Sequence, residues 1–416
     1  MSHAKHEPHT SGFRGVLRQR EFGLLWVADV QSLLGDQLAR VALAVLVYER
    51  TGSAFATAAV YALTFAPALL GGVLLGPIAD RVPSRALLVS GDLTRAVLLG
   101  VMALPAQPIW ILATLLVIAV LIGTPWKAAE RALIAEILTD EDYVIGTGFR
   151  TATTQAAQLI GFALGGIAVA SIGSRAALAI DALTFLVSGL VIRIGLRPRP
   201  APHATTRPGA PRGRWFDGLR TVLRNPRLRG LLSLSWLLGL LVMPEGIAAP
   251  YAAQLHSGSR AVGFLLAAMP AGSLVGSLVY ARWLSPGLRG RLVGPLAVIA
   301  GIPLVACAWT PGLGLTLFLW TLTGLATAYQ VQVAAEFVRI VPSEIRGQAI
   351  GVASAGLLAI QGVGLLAGGG LVTLFAPSTT VAIAGTTATL LAAWLWQLRR
   401  RQIGGVAPAR AAASNE

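Results

Sequence analysis

Runs of about 20 mostly apolar residues recur along this chain, and few folds accept such a pattern. A helix of that length crosses the hydrocarbon core of a bilayer with its backbone hydrogen bonds made internally, as lipid requires. Reading between charged or Pro/Gly breaks places spans at 22–48, 55–77, 86–104, 109–129, 146–170, 176–196, 228–252, 261–283, 292–309, 313–336, 347–372 and 378–397. The expected fold class is an all-α polytopic membrane protein with twelve transmembrane helices. Only 12% of the 416 residues are charged, against roughly 25% in soluble domains, which excludes an ordinary soluble enzyme. The 55% hydrophobic content excludes a disordered chain.

The net charge of +15, from 33 Lys+Arg against 18 Asp+Glu, would suggest a nucleic-acid partner in a soluble protein. In a membrane protein it sets orientation instead. With a cytoplasmic N-terminus, every basic residue except Arg40, Arg50, Arg175 and Arg260 falls at or near a cytoplasmic end. Cytoplasmic loops carry such an excess. The chain is therefore expected in the cell (inner or plasma) membrane, both termini cytoplasmic, with no nucleic acid among its partners. Residues 1–21 read as a retained cytoplasmic tail, 22–196 as one six-helix half and 197–227 as an Arg/Pro-rich cytoplasmic linker. Residues 228–398 read as a second six-helix half and 399–416 as a C-tail. Within the linker, Trp215 to Leu228 reads as a short amphipathic helix on the inner surface.

The halves repeat. Sliding the chain by 203 residues aligns Leu138 with Val341, Glu141 with Glu344 and Gly148 with Gly351. The same shift aligns Gly161, Gly165 and Gly166 with Gly364, Gly368 and Gly369. Parallel repeats place a substrate path along the interface between halves. Small residues four apart also let helix backbones approach closely, so these glycines are expected at helix crossings.

Between the second and third spans lies Gly76-Pro-Ile-Ala-Asp80-Arg81-Val-Pro-Ser-Arg85, a tight loop able to form a charge network at the cytoplasmic mouth. Here the chain resembles the major facilitator superfamily, whose loop motif has a glycine, then Asp-Arg, then a basic residue. Pro83-Ser84 stands where the family has its usual glycine after Asp-Arg. The resemblance implies that Asp80 docks near Gly347 on the eleventh span and latches the cytoplasmic side. Leu34-Gly-Asp36-Gln-Leu, Thr51-Gly-Ser-Ala, Gly91-Asp92-Leu-Thr-Arg95-Ala, Arg131-Ala-Leu-Ile-Ala-Glu136 and Ala179-Ile-Asp181-Ala-Leu-Thr-Phe-Leu-Val-Ser resemble the drug and enterobactin exporter branch of that superfamily. So does Gly161-Phe-Ala-Leu-Gly165-Gly166, although Phe162 stands where those exporters carry proline.

Polar residues inside spans are costly and mark function by default. Asp29, Ser32, Asp36 and Arg40 share one face of the first span. Asp36 has two readings, a proton-responsive carboxylate on the central path or an i, i+4 ion pair with Arg40. Glu245, in Met243-Pro244-Glu245-Gly246, sits at a helix break without a local basic partner. Asp36, Glu245 and, nearer the inner surface, Asp29 are the proton-coupling candidates. Asp80, Arg81, Arg85, Asp92, Arg95 and Arg150 are expected to form the cytoplasmic gate, Asp92 and Arg95 as a local pair. Arg40, Gln158, Trp236, Trp320, Tyr329 and Gln332 are the candidates for lining a substrate cavity, the aromatic ones by stacking. Asp181 sits either within the sixth-span polar contact or near the outer boundary.

No GxxxxGK[ST] phosphate loop is present, and His3, His6, His9, His203 and His256 lie in tails and loops rather than at metal-ligating spacing. The single cysteine, Cys307, lies in apolar sequence, and no hydrolytic triad can be assembled. No cofactor, metal or catalytic residue is expected; without an ATP motor the energy comes from an ion gradient or the substrate's own gradient, and a proton gradient is the expectation. The reading is a monomeric secondary transporter that exports an amphipathic small molecule (drug, secondary metabolite or siderophore) by proton antiport. Its rivals are a lysophospholipid-flipping facilitator and a non-transporting membrane receptor.

Overall fold

The computed structural model describes residues 15–16, 19–75, 78–138, 140–200, 220–342 and 345–404, and among these no strand occurs. In order the helices are α1 (Arg20–Thr51), α2 (Ala54–Ala62), α3 (Ala66–Leu74), α4 (Ile78–Arg81), α5 (Ser84–Ala103), α6 (Ile109–Ile137), α7 (Asp140–Ile172) and α8 (Ser174–Gly195). After the linker come α9 (Pro226–Trp236), α10 (Leu238–Leu241), α11 (Met243–Gly246), α12 (Ala248–Gln254), α13 (Ser259–Trp283), α14 (Pro286–Ile299) and α15 (Ile302–Val305). The last are α16 (Leu313–Ala326), α17 (Tyr329–Ile340), α18 (Arg346–Leu371) and α19 (Pro377–Gly404). Within the expected linker helix, residues 220–224 are helical, while 215–219 lie outside the described residues.

Among the described residues, ten segments are long and apolar enough to cross a bilayer. The expected spans 55–77 and 313–336 are the two outside that set, because each is interrupted. Pro67, in the first turn of α3, lacks an N–H and clashes with the carbonyl four residues earlier, so the helix breaks at Leu63–Phe65. At the second break Thr327 donates its hydroxyl to the Gly324 carbonyl at 2.5 Å, a local bond that competes with the helix ladder. The seventh span is segmented around Pro244 and Gly246, as its sequence implies. The fourth departs in the other direction: α6 runs on to Ile137 and keeps Lys127, Glu130 and Arg131 on the helix. The Thr51-Gly-Ser-Ala stretch is a double cap. Gly52 takes the left-handed conformation (φ 62°) that ends α1, and the Ser53 hydroxyl accepts the Ala56 N–H at 3.1 Å to begin α2.

The first eight helices pack chiefly on one another, with α1 between α7 and α8 and α5 against α6 and α8. The two largest crossings between this group and the later helices are α7 against α13 and α2 against α18. The repeated glycines make both. A Cβ on Gly161 would stand 2.8 Å from Gln37 Cβ on α1, and one on Gly166 2.7 Å from the Gly263 Cα on α13. In the later copy Gly364 abuts the Gly239 carbonyl and Gly368 abuts Met243, while a Cβ on Gly369 would stand 2.6 Å from Ala58 on α2. Each copy thus spends its first glycines inside its own half and its last on the opposite half. Gly165 follows the first pattern against Leu38 and Val41.

Burial is uneven along the helices. Near the C-terminal end of α1 a single apolar core runs through both groups, joining Val41 and Val47 to Tyr251, Leu265 and Trp320. Near the N-terminal end of α1 there are two cores. One packs Phe22, Leu88 and Leu133, and the other packs Leu228, Val333 and Phe337. The helices therefore close on each other at one end and diverge at the other.

Candidate functional site

A cavity of about 510 Å³ occupies the divergence, within the range of small-molecule sites. Asp36, Arg40 and Leu43 on α1, Arg95 and Leu99 on α5, and Asp181 on α8 line it. The interrupted second span contributes Thr64 and Phe65 from its break, so the proline kink shapes the wall. Opposite, α18 offers Gly351, Ser354, Ala355 and Leu358, a small-residue face that leaves room.

Inside the wall Asp36 is paired with Arg95 at 2.8 Å, and the Arg95 guanidinium lies 3.9 Å from the Phe185 ring centroid. This corrects two expected pairings. Asp36 does not pair with Arg40, whose guanidinium instead lies 5.2 Å from the Phe65 ring centroid. Nor does Arg95 pair with Asp92, which accepts the Ser188 hydroxyl at 2.6 Å in the buried contact between α5 and α8. Periodicity identifies neighbours on one helix, whereas both actual bonds are between helices. Asp181 is fully buried, accepts the Thr184 hydroxyl at 3.1 Å and faces Gly35, where a side chain would collide with it. Arg95 thus belongs to the cavity and not to the mouth.

Toward the N-terminal end of α1, Arg150 bonds two carboxylates, Asp29 at 3.1 Å and Glu130. Trp26 donates to Thr153 at 3.1 Å beside this cluster. Of the remaining expected gate residues, Arg85 donates to the Arg193 carbonyl and Arg81 is exposed. The side chain of Asp80 and its expected contact at Gly347 lie outside the described residues.

At the closed end Glu245 is buried and accepts the Tyr61 hydroxyl at 3.0 Å. The bond joins α11 to α2 and so bridges the two groups of helices. Arg40 lies near enough to interact with both partners.

Among the expected lining residues, the cavity takes Arg40 alone. Trp320 is fully buried edge-on against Tyr251, with ring centroids 5.7 Å apart. Tyr329 is fully buried and donates to the Leu234 carbonyl at 3.1 Å. Trp236 packs over Gly356, and Gln158 and Gln332 are half-buried away from this cavity. These aromatics fill helix contacts, as large apolar side chains usually do. Conversely, Lys127 and Arg131 line the cavity, Tyr61 donates to Glu245, and Glu130 shares Arg150 with Asp29, although hydropathy places Glu130 and Arg131 in a loop. The available signal was the spacing of Lys127, Glu130 and Arg131, which continues the periodicity of the fourth span.

The family model described as Major Facilitator Superfamily matches residues 25–251, more than half of the chain. The chain belongs to that superfamily. It is a multi-pass membrane transporter, not an enzyme. Multidrug efflux pump Tap of Mycobacterium tuberculosis is 27% identical over 368 residues, covering 84% of this chain and 86% of that protein. Macrolide efflux protein A of Streptococcus pyogenes is 20% identical, covering 72% and 75%. Among solved structures, a POT family transporter in complex with 5-aminolevulinic acid superposes with a TM-score of 0.74 at 11% identity, covering 94% of this chain and 98% of that one. A bacterial homologue of the human lysosomal transporter Spinster, in an inward-facing and unoccupied conformation, gives 0.69 at 17% identity, covering 92% and 97%. Both share the fold.

Proposed function

We propose that the protein exports an amphipathic small molecule across the cell membrane by proton antiport with alternating access. The efflux pumps among its relatives support export. The cavity between the helix groups, walled by an ion pair and apolar side chains, is the observation that carries the reading. With both termini cytoplasmic, the divergent end faces the cytoplasm, so the described conformation is the loading state.

The mechanism follows from what each carboxylate touches. A group couples to transport only when its interactions differ between the two states. Glu245 is sealed in the closed end by Tyr61, and opening that end breaks the bond and exposes the carboxylate to the outside. A proton taken up there neutralises a buried charge and favours reclosure, since an uncompensated charge is costly in a membrane interior. Asp36 is open to the inward cavity, so its proton can leave to the cytoplasm, whereupon the pair with Arg95 reforms. Asp29, held by Arg150, is the third candidate and lies nearer the mouth.

The test is efflux of a fluorescent lipophilic drug from cells expressing the protein, and uptake into everted vesicles with and without a pH gradient. Transport that survives collapse of the gradient removes the antiport step. Absence of transport for a broad panel of amphipathic compounds removes the export reading.

A further inference from the structure

One face of α6 grades from apolar to cationic. Leu116, Val120, Gly123, Lys127 and Arg131 recur three and four residues apart and all line the cavity. The charged residues in the wall are Arg40, Arg95, Lys127 and Arg131 against Asp36 and Asp181. The two acids are not available to a ligand in the same way as the cations. Asp36 is occupied by Arg95, and Asp181 is fully buried behind α1 with a bond from Thr184. Arg40 is turned onto Phe65. Lys127 and Arg131 remain, both exposed and neither with a hydrogen bond or ion pair among the described residues; Asp36 and Asp29 attract Lys127, and Glu130 attracts both, only from beyond ion-pair distance. They stand one helical turn apart, so their side chains present adjacent cations. Deeper in the cavity the wall is Leu43, Phe65, Leu99, Leu116 and Leu358.

We propose that the substrate is an amphiphilic acid, its carboxylate held between Lys127 and Arg131 and its apolar body lying along Phe65, Leu99 and Leu116. This narrows the export reading and rests on it in taking the cavity as the substrate path. With no carboxylate bonded to them, the two cations keep their N–H donors free for a ligand, and an entering carboxylate supplies the acceptors. Arg131 can take it through two parallel N–H groups, and Lys127 as a point charge. A lipophilic cation would instead bring like charge to this wall. The gradient also orients the ligand, apolar body toward the closed end and acidic head toward the mouth.

The test uses the full chain in lipid nanodiscs and two probes that differ only at the head, dansylaminoundecanoic acid and its methyl ester, at neutral pH. The acid should bind about tenfold more tightly than the ester. Lys127→Gln should remove most of that preference, Lys127→Gln/Arg131→Gln all of it, and Lys127→Arg should retain it. Unchanged ester binding in the Gln variants shows that the cavity is intact. Equal affinity of acid and ester, or acid binding indifferent to the double variant, overturns the proposal. Everted vesicles separate this failure from failure of the export reading. Accumulation of ethidium but not of the acid overturns the substrate class and leaves export standing, whereas accumulation of neither overturns both.

Discussion

The bond between Asp36 and Arg95 raises the question of whether it is architecture or machinery. Removing one partner leaves the other charge uncompensated, at a cost below the ~3–5 kcal/mol of a fully buried pair because this one is partly open to the cavity. A loss of transport in Asp36→Asn alone is therefore ambiguous. The double variant Asp36→Asn/Arg95→Gln resolves it, because it removes both charges at once. If the pair only holds α1 to α5, the double variant transports better than either single one. Proton coupling through Asp36 predicts that the double variant folds and stays inactive in drug-efflux assays, and that is the expected outcome. Tyr61 and Glu245 separate differently. Tyr61→Phe deletes one hydrogen bond, worth about 1 kcal/mol, and should slow export by less than tenfold. Glu245→Gln keeps a hydrogen-bond acceptor but cannot exchange a proton, so gradient-driven vesicle uptake should vanish while substrate binding persists.

Helices rather than single contacts decide where these side chains stand. Most spans are legible in sequence because hydropathy over a span-length window reports on helix and lipid together. The breaks at Leu63–Phe65 and at Thr327 are less so, since one proline or one threonine acts only through its local hydrogen bonds. The fourth span runs beyond its apolar stretch, to Ile137, for a related reason. Glu130 and Arg131 have the polarity of a loop, yet Glu130 is buried against Arg150 and Arg131 opens onto the cavity, where a charged helix turn is stable. Pairings between helices, such as Asp36 with Arg95, leave no trace in the periodicity of either helix. The glycine repeat was the exception, because a crossing of two backbones needs small residues on both. It makes a direct prediction. Gly166→Leu places a side chain against the Gly263 Cα and should hold the end near Gly166 open, lowering efflux severalfold or more, while Gly148→Ala, with nothing within 4 Å of its Cβ, should leave efflux unchanged.

At the scale of the whole molecule, one continuous core at one end and two separate cores at the other amount to a statement about access. A packed interior admits neither water nor a reagent of maleimide size, because it holds few voids larger than a water molecule. Ser354, exposed on the cavity side of α18, and Ala58, fully buried where α2 meets α18, are therefore opposite reporters. In everted vesicles, whose cytoplasmic face is outward, Ser354→Cys should react rapidly with a membrane-impermeant maleimide and Ala58→Cys should not. The native Cys307 is buried and should contribute no background. Adding Gly166→Leu should exchange the two rates when the reagent is applied from the other side, because the same rigid helices that close one end must open the other. Labelling of Ser354→Cys only from the extracellular face would reverse the assigned sidedness and with it the direction in which the cavity loads. Labelling of both positions from both faces would mean a continuous pore, for which alternating access is the wrong description.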